Sequence, residues 1–251
     1  MITINTLYDT FQDHIKNHGK PIKINGNNAI GFFKEYDEKK DSNDHKYLFT
    51  NINTLKQGDE IEALNQKWLN ISHIVNYNGV YEKGLIREAK YSIKFAFPDG
   101  EVKAFTSVID IKALDIITNQ YITLPDGKIL VTLPQNTDSN NIFLYQRFII
   151  MGNAWKIIGI DKSKIGLIIL TCQLDEFVEA NDDRENEIAD YKKYIHTYTI
   201  DITNGESADM DYRETTLQLE VSCTDNAVLV ENPVVTYTSD NEYVATINEN
   251  G

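Results

Sequence analysis

Gln57–Ile86 reads QGDEIEALNQKWLNISHIVNYNGVYEKGLI, and this stretch decides the fold. Alternation of apolar and polar residues predicts a strand over Asp59–Leu64, a tight turn at Asn65-Gln66 and a second strand over Trp68–Val75. A loop at Asn76–Gly79 then leads to a third strand over Val80–Glu88. A looser copy follows at Gln146–Leu170, QRFIIMGNAWKIIGIDKSKIGLIIL. There a strand over Arg147–Met151 runs into a turn at Gly152-Asn153. A strand over Trp155–Ile160 and a last strand opening on Gly166-Leu167-Ile168 complete it. In both copies a Gln precedes the first strand, a Trp follows the turn, and Gly-Leu-Ile recurs in the last strand. Two copies of one meander predict two related β-domains in series. Neither copy carries a nucleophile, a ligand cluster or a phosphate loop, which favours a structural or binding protein over an enzyme.

Working outward, Thr6–His18 reads as a short amphipathic helix: Leu7, Phe11 and Ile15 make one stripe, Thr6 is the expected N-cap, and Gly19 and Pro21 end it. His14 and His18 stand four apart, but no third metal ligand accompanies them. Hairpins are expected around Asn25-Gly26, Pro98-Asp99-Gly100 and Pro125-Asp126-Gly127, whose residues supply the φ values a tight return needs. Lys34–Lys46 and Gln135–Asn141 read as polar loops and are the expected contact surfaces. Their candidate interface residues are Glu35, Asp37, Lys39, Asp41, Asn43 and His45 in the first, and Asn136, Asp138 and Asn140 in the second. Trp68, Ile71, Trp155 and Ile157 are the expected structural core.

Asp175–Asp190 holds eight acids and one Arg without the ligand spacing of a calcium loop, and reads as an acidic linker. From Tyr194 onward Thr, Val, Asn and Ser dominate, with alternating strands at sandwich-like spacing. The expected architecture is mainly β. Residues 1–90 form a first β-barrel-like domain with an N-terminal helix and 91–177 a second one. Residues 178–193 are an acidic linker and 194–251 an Ig-like β-sandwich.

A net charge of −14 repels phosphate backbones and argues against sequence-specific nucleic-acid binding. No apolar run is long enough to span a membrane, and the N-terminus lacks the pattern of a signal peptide, so synthesis and retention in the cytoplasm or in a particle are expected. Cys172 and Cys223 are expected to be two buried, reduced thiols. No catalytic, cofactor or metal site is visible: G-x-S-x-G, Walker and G-x-G-x-x-G patterns are absent.

Two resemblances add to this reading. Val234–Asn241 (VVTYTSDN), then Val244–Ile247 (VATI) and Asn250-Gly251 resemble the bacterial Ig-like domain of group 2, with Tyr237 where that family usually has Trp. The family adds two more strands after this Gly, which implies that the sandwich is truncated or that a partner supplies the missing edge. Leu55–Ile61 (LKQGDEI), Trp68-Leu69, Tyr81 and Arg87 resemble the small barrel neck proteins of tailed phages and prophages, which close the head or join it to the tail. That resemblance implies a non-enzymatic virion protein, self-associated in a ring below the portal, with portal, adaptor or tail proteins as partners. The alternatives are a tail, baseplate or host-surface-binding protein using the Ig-like domain, and a cell-wall hydrolase using unassigned acids.

Overall fold

A computed structural model describes residues 4–36, 44–111, 127–204, 216–243 and 245–249 of the chain. Residues 1–194 and 195–251 are separate compact units.

The first unit opens with α1 (Ile4–His18). Phe11 and Ile15 are its buried residues, and Phe11 stacks on Tyr81 with ring centroids 4.9 Å apart. The helix begins before Thr6, which therefore sits in the first turn rather than capping it; its carbonyl accepts from Thr10 Oγ1 at 2.7 Å. Seven strands follow: β1 (Lys20–Ile24), β2 (Asn27–Glu35), β3 (His45–Thr50), β4 (Glu60–Ala63), β5 (Gln66–Asn70), β6 (Val75–Tyr77) and β7 (Tyr81–Glu88). Six of them close on themselves in the antiparallel order β3-β2-β1-β4-β5-β7, with β7 returning to β3, and β6 lies beside β7. The strand expected over Trp68–Val75 is thus two pieces. Both pair with β7, and Ile71 N–H and Ser72 Oγ bond to Leu85 across the interruption. Alternation puts Ile22, Ile24, Leu48, Ile61, Trp68 and Ile86 inside the barrel. A fully buried side chain of this size contributes about 1.5–3 kcal/mol.

The second barrel contains β8 (Tyr91–Ala96), β9 (Val102–Ile111), β10 (Lys128–Pro134), β11 (Arg147–Ile150), β12 (Asn153–Asp161) and β13 (Leu167–Asp175), in the order β11-β12-β13-β10-β9-β8. The ladder ends at β8 and β11, and side chains join the two. Phe95 meets Phe148 edge-on at 5.2 Å, and buried Gln146 donates from Nε2 to the Ala96 carbonyl at 2.9 Å. The expected strand over Tyr121–Leu124 and the turn residues Pro125 and Asp126 lie outside the described residues.

The repeat read from the sequence holds in geometry. Both tight turns sit one residue earlier than expected, at Leu64-Asn65 and Met151-Gly152, because a two-residue hairpin return needs positive φ at both positions. The pairs Ala63↔Gln66 and Ile150↔Asn153 flank them. Trp68 Nε1 then donates to the Ala63 carbonyl at 3.1 Å, and Trp155 Nε1 to the Ile150 carbonyl at 3.3 Å. The Gly-Leu-Ile echo does not carry over: Gly84 lies inside β7, whereas Gly166 precedes β13 with φ +81°.

The second unit contains β14 (Tyr198–Ile202), β15 (Val221–Asp225) and β16 (Val228–Leu229) in that order. Where an Ig-like sandwich, truncated or completed by a partner, was expected, the described residues form one small three-stranded sheet, and 233–243 and 245–249 carry no strand. No residue described beyond 194 is buried, so the described residues supply no core for a second layer.

Candidate functional site

The two barrels meet at a junction. Gly58 and Gly166 approach backbone to backbone, both with positive φ (+88° and +81°). Gly58 N–H is held by the Asn70 carbonyl at 2.9 Å, and the Gly166 carbonyl accepts from Gln135 N–H at 2.8 Å. Beside them Leu69, Ala89, Val108 and Leu167 form an apolar cluster between barrels. Ile71, expected in a barrel core, is partly buried against this cluster instead, because the strand interruption at 71–74 turns it outward. Trp68, Trp155 and Ile157 lie in the barrel cores as expected.

A second tie crosses the junction. Arg87 at the end of β7 donates from Nε to Asp44 at 2.8 Å and from Nη1 to Asp110 of β9 at 2.7 Å. Burial alone would raise the Asp44 carboxyl, but Arg87 and His45 together more than offset it and hold it below the usual range. Next to the glycines a cleft of about 850 Å³ opens between barrels, lined in part by Lys56, Glu60, His73, Ile74, Gln135 and Ile165. Its size suits a small ligand. Its amides are already engaged, however: Asn25 on Asp59, Gln57 on the Ile71 carbonyl, and Asn136 on Ser139.

The acidic segment is not a free linker. Arg147 at the start of β11 donates to Asp175 at 2.9 Å, to Asp182 at 2.8 Å and to Asp190 at 2.9 Å. The Asp182 side chain is wholly buried and also accepts from the N–H groups of Val178 and Asp190. Phe177 and Ala189 pack on Ile149 and Ala154 of the second barrel. The segment folds back because a buried guanidinium needs several anions, and β11 supplies none. One cation leading into a buried strand, with eight acids a few turns later, was the signal available in the sequence.

The described residues of the expected contact loops are also tied down. Asp138 accepts from Lys103 at 2.7 Å, Asn140 accepts from Lys162 at 3.1 Å, and Asn136 braces Ser139, which is buried. Glu35 pairs with Lys46, and His45 belongs to β3, where it pairs with Asp44. Asp37, Lys39, Asp41 and Asn43 lie outside the described residues. The bulky exposed turn is the one that follows, Phe143-Leu144-Tyr145. Tyr145 is 69% exposed at φ +68°, and its N–H is fixed on the Ile157 carbonyl at 2.9 Å.

Among reactive groups, burial pushes the Cys172 thiol up to about 12, which leaves it inert as a nucleophile. Cys223 is partly exposed rather than buried. Among the described residues no group of three or more His, Cys, Asp or Glu could hold a metal ion, and His14 packs edge-on against Phe32 at 4.4 Å.

Residues 2–88 match the YomX N-terminal domain, and residues 91–173 match the YomX C-terminal domain. No curated protein matches the chain. Among solved structures, MrkH, described as a novel c-di-GMP dependence transcription regulatory factor, is matched at 8% identity over 70% of this chain and 84% of that one. The TM-score is 0.18, too low to carry an argument.

Proposed function

We propose that this chain, which belongs with the proteins that carry a YomX N-terminal domain followed by a YomX C-terminal domain, is a non-catalytic structural protein of a tailed-phage or prophage virion. Its place is the head–tail neck, as one copy in a ring below the portal. The observation that carries the reading is the exposed turn Phe143-Leu144-Tyr145, which follows a loop, Gln135–Asn141, whose polar side chains are internally bonded. Consecutive bulky side chains on a fixed backbone suit a contact repeated between neighbours, where aromatic anchors dominate binding. The two ties across the barrel junction support a rigid block rather than a swinging pair, as ring assembly requires. The resemblance of Leu55–Ile61, Trp68-Leu69, Tyr81 and Arg87 to neck proteins supplies the virion context.

The test is peptide mass spectrometry of density-purified particles, with and without tails. Peptides of this chain in particles are expected, and retention on DNA-filled heads would favour head closure. Absence from all particles, with the protein free in the cell, would overturn the reading.

A further inference from the structure

The unit formed by residues 195–251 carries a sheet with one satisfied and one unsatisfied face. Register places Ile200 opposite Cys223, Ile202 opposite Val221 and Tyr198 opposite Asp225, so these side chains share one face. Thr199 opposite Thr224 and Asp201 opposite Ser222 make the other, where the two threonine hydroxyls are 2.6 Å apart. The polar face is internally bonded. The other carries Tyr198, Ile200 and Ile202, each at least half exposed; at its end Asp225 pairs with His196, whose ring stacks on Tyr198, and Ile200 and Ile202 form the open apolar part. An antiparallel sheet of this kind buries its apolar face against another layer. Among the described residues, β14 also has one neighbour only, β15, so its outer edge is unpaired.

The same unit holds the complementary piece. In PVVTYT (Pro233–Thr238) Val235 and Tyr237 alternate with Thr236 and Thr238, as apolar and polar residues alternate in β14. Yet this stretch forms no strand: Val234 is fully exposed, and Val235 and Tyr237 are only partly buried. It leaves the sheet from β16, where Val230 N–H bonds to the Cys223 carbonyl at 2.9 Å. β16 is the far edge of the sheet from β14, so a chain's own segment would have to cross the sheet to reach β14, whereas a neighbour's would not.

We propose that the open edge and apolar face of β14 receive Pro233–Thr238 of a second copy, added as a strand in a reciprocal exchange. Main-chain hydrogen bonds along β14 supply affinity, and Val235 and Tyr237 of the second copy extend and help cover the apolar face. This inference does not depend on the virion reading.

The test uses the full chain with Cys223→Ser. A tagged chain with Ile200→Cys is mixed with untagged chains carrying Val235→Cys or Tyr237→Cys and mildly oxidised. A tagged–untagged disulfide is expected. An intramolecular disulfide in the double variant would mean that the segment closes on its own chain. A disulfide between two Ile200→Cys chains would mean that β14 pairs with β14. Either result, or no cross-link at all, overturns the proposal. Light scattering of the otherwise unaltered chain should show a dimer that Tyr237→Asp weakens about tenfold or more, the loss of one buried anchor. Both tryptophans lie in the other unit, so their fluorescence should stay unchanged and report that the barrels remain folded.

Discussion

A β-carbon on Gly58 would lie 1.8 Å from the carbonyl oxygen of Gly166, and one on Gly166 would lie 2.0 Å from the carbonyl oxygen of Gln57. The two glycines are therefore a lock between barrels, and each also holds a backbone conformation that side chains resist. Gly58→Ala and Gly166→Ala are expected to lower the melting temperature by more than about 5 °C, since backbone displacement adds to about 1–2 kcal/mol of left-handed strain. Gly152→Ala is the control. Its φ is +69° with nothing within 4 Å, so it should show the strain alone. Equal losses for all three would count against the lock.

The two tryptophans report one barrel each. Trp155→Phe leaves Trp68 as the reporter, and Trp68→Phe leaves Trp155. With the junction intact, both variants are expected to give one cooperative urea transition that matches their circular-dichroism transition. In Gly166→Ala the two reporters should separate. Separation already in the Trp→Phe variants alone would mean that the barrels unfold independently.

Arg147 is the cation on which the acidic segment closes. Arg147→Met leaves the buried Asp182 carboxylate unpaired and is expected to destabilise by about 3–5 kcal/mol. Arg147→Lys should recover only part, because an ammonium cannot serve three carboxylates with a planar fork. Urea unfolding gives the magnitude, and faster proteolytic cleavage within residues 176–190 would locate it.

The same cluster sets an acid dependence. Burial pushes Asp182 and Asp175 up, but Arg147 together with backbone N–H groups, and for Asp175 also Lys156, outweighs it, and both carboxyls sit below their ordinary value. A depressed folded value means that the stabilisation is complete above the unfolded carboxylate value of about 4 and is lost as pH falls through the folded values. The melting-temperature gap between wild type and Arg147→Met should therefore be full at pH 7 and shrink as pH falls below the unfolded carboxylate value. A gap that stays constant across this range would show that the ion pairs are not its source.

Tyr145 holds a left-handed backbone that a bulky residue disfavours. Tyr145→Asn, whose side chain tolerates that region, is expected to raise stability by about 0.5–1 kcal/mol. If the exposed turn is a contact surface, the same change should lower incorporation into particles. A variant that is more stable and equally well incorporated would remove Tyr145 from the interface.

Much of this fold was legible locally. Asn25-Gly26 and Pro98-Asp99-Gly100 fix their turns because only a few residues accept the φ values required, and period-two alternation then assigns each strand an inner face. The recurrence of Trp after a tight turn disclosed two related barrels, since each indole packs beneath its own hairpin only five residues from its acceptor. What the tertiary structure alone decided was every relationship between distant groups. Closure of β3 on β7, the meeting of Gly58 with Gly166 and the gathering of Asp175, Asp182 and Asp190 around Arg147 join residues far apart in the chain. No periodicity encodes such pairs. They follow from the curvature of the closed sheets and from the need of a buried charge for partners, and both exist only once the barrels are built.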